Sequence, residues 1–444
     1  MGSNPTLSVY FEPIIISYFE PIIIRLNQVL KFFNSEKNLK VLGWVLLAFV
    51  LVVVFWQAQM PQWRHHLEAD PITFHNRTIH FLTTSSWAEM GYNEYQPGAL
   101  WFFVLIGKLA GNGANYSAFL KTLVLANILL IIAHFVFFSR YSHKYAPILF
   151  SLLVLAAGPI LLFRFELIVS LLVLVAWHLF QQKKYGWSAF MLALGTSVKL
   201  YPAILFPLLI LDILLRKNWR KISVTVLAFV AGITLPLLSF FLLGGDFGGF
   251  LRSLEVHSLK PVGIEGLWGN LLAFMNMGFG SSFNVSPGYG VYGITPSSSL
   301  LSIDNLNKLP IIITIILLAI IGWFYRKRGY REVGLAFIVI FVFTFLGKVL
   351  NPQYLWWFLV FLPLLPLKWF SKIGWATIYI MAFGSLIMTQ VIYPLNYNAF
   401  LEWFKAPIAA SGFLVLLSSR NLLLFIILGL GVFALVRSRM SKGY

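Results

Sequence analysis

Apolar runs alternate along the chain with short basic clusters, and this alternation predicts a bundle of membrane-crossing helices. Residues 41–58, 117–138, 146–163, 167–181, 187–200, 201–215, 222–243, 309–325, 332–347, 354–367, 374–393 and 419–436 read as twelve spans. The longer ones match the ~20 residues that cover about 30 Å of hydrocarbon as helix. Between them stand Arg140/Lys144, Lys183/Lys184, Arg216/Lys217/Arg220/Lys221, Arg326/Lys327/Arg328/Arg331, Lys368/Lys372 and Arg437/Arg439/Lys442. Placing every cluster in the cytoplasm lets the spans alternate without conflict, with both termini cytoplasmic. Residues 97–110 are apolar enough for a thirteenth span. Counting it would put Arg140, His143 and Lys144 outside, so it reads as an interfacial helix.

Composition supports the membrane reading. Of 444 residues, 59% are hydrophobic and only 11% charged, against roughly a quarter charged in soluble domains. The net charge of +18 would suggest nucleic acid in a soluble protein. Here the cations sit between apolar runs, so topology explains them and no nucleic-acid partner is expected. With no cysteine, disulfides and thiolate metal sites are excluded. The N-terminus lacks a short apolar core followed by a small-residue cleavage site, so the first span is expected to act as an uncleaved anchor. The expected organisation is a cytoplasmic or interfacial segment 1–40, a transmembrane domain 41–436 and a tail 437–444. Within the first segment Tyr10-Phe-Glu-Pro-Ile-Ile-Ile16 recurs eight residues later. It reads as a tandem duplication without function, or as an amphipathic surface anchor.

Three substantial pieces fall on the outer side: 59–116, 244–308 and 394–418. Their Gly, Pro, Asn and aromatic content suits loops with short interfacial helices. Ten of the fifteen carboxylates lie in outward segments, so acid–base chemistry is expected there. Asp70, just past the first span, suits a general base toward a hydroxyl; before Pro71 it equally suits a helix cap. His65, His66, Glu68 and Asp70 have no specific metal-ligand spacing, and no metal or cofactor is expected. Glu94 and Tyr95 stand in a Tyr-Gln-Pro-Gly corner that could shape a lipid-facing cleft or be a bare turn.

Arg164 and Glu166 bracket a boundary between spans, either as a structural ion pair or as contacts to a substrate phosphate and hydroxyl. Lys199 and Tyr201 lie in Gly195-Thr-Ser-Val-Lys-Leu-Tyr-Pro202; the lysine either snorkels outward or meets a phosphate. Arg252, His257, Lys260 and Glu265 fall in the long outer loop, where solvation is the ordinary fate. Lys348, Gln353 and Tyr354 belong to Lys348-Val-Leu-Asn-Pro-Gln-Tyr354, whose aromatics suit an interfacial belt. Outward cations run against the charge rule. An anionic substrate group at the membrane surface explains them.

These motifs resemble the GT-C superfamily of glycosyltransferases, and specifically glycosyltransferase family 87, the polyprenol-phosphate-mannose-dependent α-mannosyltransferases. The likeness rests on Asp70 with Phe74, Tyr95-Gln-Pro97, the 195–202 motif and the 348–356 segment, with Ile264-Glu-Gly-Leu-Trp268 a weaker match. It spans roughly residues 40–435. Tyr-Gln-Pro stands where Tyr-Pro-Pro is usual, Arg-Phe-Glu where Arg-x-Asp is common, and Asp70 is followed directly by Pro.

The resemblance implies an all-α GT-C fold in the plasma membrane, with the active site on its extracytoplasmic side. It implies transfer of a hexose, mannose above all, from a polyprenyl-phosphate sugar to a glycan or glycolipid acceptor, with inversion. Asp70 would be the base. Lys199 and Lys348, with Arg164, Arg252 and Lys260, would meet the donor phosphate. Glu94, Tyr95, Glu166, Tyr201, His257, Glu265, Gln353 and Tyr354 would contact substrate. The competing classes are a transporter or flippase of a lipid-linked or anionic substrate, and an O-antigen polymerase or ligase. A transporter favours repeated halves with midplane charges; no such repeat is visible, which favours the enzyme.

Overall fold

The computed structural model describes residues 35–88, 94–112, 115–279, 283–296, 303–325, 332–405 and 412–440. The duplicated heptads, Gly91–Asn93 of the aromatic corner, the 326–331 cluster and residues 441–444 of the tail lie outside the described residues.

The long apolar run at the start forms α1 (Glu36–Gln59), and the chain then turns into α2 (Pro61–Leu67) and α3 (Ala69–Thr84). The expected interfacial segment is α4 (Pro97–Leu109), begun by Pro97 at a position where a missing N–H costs nothing. Next come α5 (Tyr116–Tyr141), capped by the Asn115 side chain, α6 (Ala146–Ala157) with a 3₁₀ turn over Gly158–Leu162, and α7 (Glu166–Gln181). The helix α8 (Tyr185–Val198) stops at the 195–202 motif, where Pro202 enters a 3₁₀ turn (Tyr201–Leu205) before α9 (Phe206–Leu215). The second half holds α10 (Trp219–Leu242), α11 (Phe247–Leu259), β1 (Val262–Gly263), α12 (Leu267–Phe279), β2 (Phe283–Gly288) and β3 (Val291–Pro296). It ends with α13 (Ile303–Tyr325), α14 (Val333–Phe345), α15 (Leu355–Leu359), α16 (Lys372–Gln390), α17 (Tyr397–Lys405) and α18 (Gly412–Met440).

Among the described residues, five helical stretches are long and apolar enough to cross a membrane: Glu36–Gln59, Tyr116–Tyr141, Trp219–Leu242, Lys372–Leu395 and Gly412–Arg437. Six shorter apolar stretches, among them Ala146–Leu162, Glu166–Gln181 and Val333–Phe345, join them in the bundle. One expectation is corrected. Residues 354–367 do not form one helix. Pro363 and Pro366 break the run into α15 and 3₁₀ turns, because proline lacks the N–H and clashes with the preceding turn. This broken segment is nearly all buried, so its irregular backbone is shielded by protein rather than facing lipid.

The described residues are mostly helical, as the patterning predicts, with one small addition. The third-quarter loop carries an antiparallel sheet in the order β1-β3-β2. Its β2–β3 connection is a two-residue turn, Tyr289-Gly290, with positive φ at both positions (52° and 75°). That conformation suits the right-handed twist of a hairpin.

One large apolar core runs through the bundle. A second, smaller core joins β1, β3, α12, α17 and the start of α18 through Val262, Ile264, Ile294, Phe400 and Leu417. The polar cavities described next involve residues flanking both cores.

Candidate functional site

Asp70 occupies the first turn of α3, where a negative charge is favoured by the helix dipole. It is not the cap: Glu68 holds that position and makes no side-chain cap bond. Glu68 instead accepts from Arg64 Nε at 2.6 Å, so the His65/His66/Glu68/Asp70 group is not gathered around one point. Among the described residues no cluster of three metal-ligating side chains occurs. Phe74, one turn on, is fully buried against Phe103 (centroids 4.3 Å apart), Phe165 and Tyr95. That aromatic contact pins the start of α3 to α4 and to the 164–166 corner. Gly98 is required in α4, since a Cβ there would stand 2.6 Å from the Ser197 carbonyl oxygen at the end of α8.

The 164–166 corner is held from behind. Asn127 Nδ2 on α5 donates to the Leu162 and Arg164 carbonyls at 2.9 and 2.8 Å. Arg164, only 4% exposed, puts Nε 2.8 Å from Asp70 Oδ2. Its Nη1 donates to the Leu67 carbonyl at 2.9 Å and its Nη2 to the Tyr393 hydroxyl at 2.9 Å. Tyr393 in turn donates to the His66 carbonyl at 2.9 Å. Burial works against the charged guanidinium, but Asp70, the Tyr393 hydroxyl and Glu166 hold its pKa above the ordinary arginine value. Arg164 and Glu166 therefore do not pair with each other. Each has its own partner, and Arg164 fixes one oxygen, Oδ2, of a 40%-exposed carboxylate.

Asp70 and Arg164 form part of the wall between two cavities, with Gly290, Asn351 and Gln353 also common to both. The smaller one, about 70 Å³, is lined by Glu94, Tyr95, Glu166, Lys199, His257, Lys260 and Tyr354. Lys199 turns inward rather than snorkelling. Its ammonium bonds the Glu166 carboxylate and lies over the rings of Phe165, Tyr354 and Trp357 at 4.7, 5.0 and 5.1 Å. Lys260, at the end of α11, meets Glu94 Oε2 at 3.1 Å. Burial, then the charges of Lys260, Lys199 and Lys348, pushes His257 down to about 4, so its imidazole is neutral at pH 7. Burial also drives the Tyr95 hydroxyl pKa well above its usual value, leaving it a hydrogen-bonding group rather than an acid.

The larger cavity, about 350 Å³, is bounded by His66, Glu265, the hairpin (Pro287, Gly288, Val291, Tyr292), Tyr393, Tyr397 and Asn398. Burial raises the Glu265 pKa to about 7, a shift opposed by Arg420 and by a hydrogen bond from Tyr397. Arg420 is fully buried and donates to the Glu265 backbone carbonyl, and Asn421 Nδ2 reaches Asn270 Oδ1 at 3.3 Å behind it. Gly290, at the hairpin tip, comes so near Glu94 that a Cβ would lie 3.1 Å from its carboxylate.

Of the residues singled out by sequence, Asp70, Glu94, Tyr95, Arg164, Glu166, Lys199, His257, Lys260, Gln353 and Tyr354 line the smaller cavity. Glu265 lines the larger. Three stand elsewhere. Tyr201 stacks on Trp357 (4.2 Å, 10°) and supports it from behind. Lys348 donates to the Ser258 carbonyl at 2.6 Å, and burial followed by Lys260 lowers its pKa. Arg252 is 67% exposed and faces Asp246 at 3.7 Å on the surface. Sequence reasoning did not assign substrate-site roles to Asn127, Asn351, Tyr393, Tyr397 or Gly290. The Pro-Gly-Tyr-Gly string at 287–290 was the available signal for the hairpin.

Two adjoining polar cavities that share a carboxylate suit a reaction between two substrates. One holds Lys199 on aromatic faces and Lys260 beside Glu94; the other offers hydroxyls, a carboxyl and amides. No curated protein matches the chain. The model of glycosyltransferase family 87 matches residues 93–352, more than half of the 444 residues. The matched stretch contains the 164–166 corner, the 195–202 motif, α11 and the hairpin, while Asp70 lies before it. With these elements gathered at one site in a membrane-type helical bundle, the chain belongs to glycosyltransferase family 87.

Proposed function

We propose that the protein transfers mannose from a polyprenyl-phosphate-linked donor to a hydroxyl of a glycan or glycolipid acceptor, with inversion, on the extracytoplasmic face of the plasma membrane. The twelve crossings with cytoplasmic termini belong to this reading. The observation that carries it is the position of Asp70 in the wall between the cation-bearing cavity and the larger one. The sugar phosphate would sit toward Lys199 and Lys260, and the acceptor in the larger cavity.

Asp70 would accept the acceptor's proton on Oδ1 while Arg164 holds Oδ2. The acceptor oxygen attacks the anomeric carbon from the side opposite the phosphate. The bond from that carbon to the phosphate oxygen breaks, and polyprenyl phosphate leaves with the electron pair. Phosphate is a stable leaving group, so no separate acid is required. The lysines offset the charge that grows on it in the transition state, and holding both substrates across one carboxylate supplies much of the rest. His257 and Gln353 would serve as neutral hydrogen-bonding groups. Lys348 acts through its bond to the Ser258 carbonyl beside His257, as a positioning residue.

The test is transfer by purified protein given polyprenyl-phosphate-mannose and a panel of acceptors. Asp70→Asn should lower turnover by roughly 10²–10⁴-fold, the range for loss of a general base. Near-normal turnover by a folded Asp70→Asn protein would remove Asp70 from the role. Transfer from other lipid-phosphate sugars only would overturn the mannose assignment.

A further inference from the structure

The helix α8 ends at Lys199 in the candidate site, and its other end borders a different cavity. Its fourteen residues span about 21 Å at 1.5 Å each, so this second cavity lies toward the opposite membrane face. It has a volume of about 600 Å³ and lies between the start of α8 and the start of α10. Lys183, Lys184 and Lys221 line it together with Trp187, Phe190, Val224 and Ala228.

The charge here is unbalanced. Among the described residues no carboxylate pairs with any of the three lysines; Lys221 only overlies the Tyr185 ring at 5.4 Å. The acid in this region, Asp212, is buried and already engaged by the Tyr185 hydroxyl at 2.8 Å and Arg216 Nε at 2.9 Å. Cations from two separate chain segments therefore converge on a cavity whose remaining lining is mostly apolar. Trp187 and Trp219, 64% and 67% exposed, stand at the same end of the two helices. Such tryptophans mark the headgroup level of a bilayer.

We propose that this groove binds one anionic diacyl phospholipid. Its phosphate would lie among Lys183, Lys184 and Lys221, and an acyl chain along Phe190, Val224 and Ala228. A basic pocket between helices at a membrane face is suited to that headgroup. The apolar stretch beneath distinguishes a seated lipid from charge attraction to the bilayer in general. This site does not depend on the sugar-transfer reading, because it shares no residue with either cavity described above.

The test is native mass spectrometry of the full chain in detergent, titrated with phosphatidylglycerol or phosphatidylcholine of identical acyl chains. The wild type should favour phosphatidylglycerol at least tenfold. Replacing Lys183, Lys184 and Lys221 together by Gln should weaken that binding roughly tenfold to a hundredfold, from the contribution of each lysine at an anionic surface. Ala228→Trp, which fills the groove and keeps every charge, should weaken phosphatidylglycerol binding by at least tenfold and serves if the triple variant does not fold. Equal binding of the two lipids by wild type overturns the proposal. So does full retention of phosphatidylglycerol by either variant, or its displacement by millimolar inorganic phosphate alone.

Discussion

Removal of Lys199 tests whether one buried ion pair serves both the fold and the chemistry. Glu166 is 1% exposed, with Oε1 bonded to Lys199 and Oε2 without a hydrogen-bond partner. Lys199→Met would leave that carboxylate enclosed and uncompensated, at a cost on the order of 3–5 kcal/mol. The lysine's contacts with Phe165, Tyr354 and Trp357 would add about 0.5–2 kcal/mol each at most. Adding Glu166→Gln removes the stranded charge, so the double variant should recover most of the stability. It should not recover transfer, because no cation would remain at that point to oppose charge on the leaving phosphate; a loss of about 10²–10³-fold in kcat is expected. Stability would be followed by tryptophan fluorescence during denaturant unfolding in detergent, and transfer with a labelled donor. Two results would refute the reasoning: a double variant as unstable as the single one, or Lys199→Met turnover within about threefold of wild type.

Glu265 should impose a pH dependence on stability. Its folded pKa is raised from 4.5 to about 7, so it favours the folded state fully below its unfolded pKa, and that contribution is lost between pH 4.5 and 7. Glu265→Gln should flatten the unfolding curve over that window by up to about 3 kcal/mol; parallel pH profiles for wild type and variant would contradict it. His257 has the opposite sign: its pKa is depressed to about 4, so it stabilises above pH 6.5 and the contribution fades as pH falls toward 4. His257→Gln should remove this acid sensitivity in the same assay. Gly290→Ala should cost about 1–2 kcal/mol from its left-handed backbone and also lower transfer by crowding Glu94. Loss of stability without loss of transfer would separate the hairpin tip from the site.

Much of this molecule follows from local patterning. Apolar runs bounded by basic clusters identify long helices such as α1, α5 and α10, because a helix in hydrocarbon must satisfy its own backbone and present apolar side chains. Pro97 and Pro202 mark a helix start and a 3₁₀ turn, again for local reasons. Motif spacing was enough to single out Asp70, Arg164, Lys199 and the 348–354 segment, since rare charges near membrane boundaries stand out against an apolar background.

Pairing and depth were decided only in the folded chain. Arg164 and Glu166 look like partners by proximity in sequence, yet the turn between them sends one side chain to Asp70 and the other to Lys199. Lys348 looks like a site cation but is spent on a backbone carbonyl, and Arg252 faces the surface. The hairpin at 283–296 and the broken 354–367 segment depend on non-local neighbours: β3 pairs with β1 across the intervening α12, and Trp356 of α15 donates to Ser170 on α7. The sequence by itself determined which stretches are hydrocarbon-compatible and which charged residues stand out against them, because those depend on residue type and spacing. Which charge meets which, and the single wall where Asp70 separates two cavities, were decided by tertiary packing, because electrostatic partnership depends on distance and burial that no linear spacing contains.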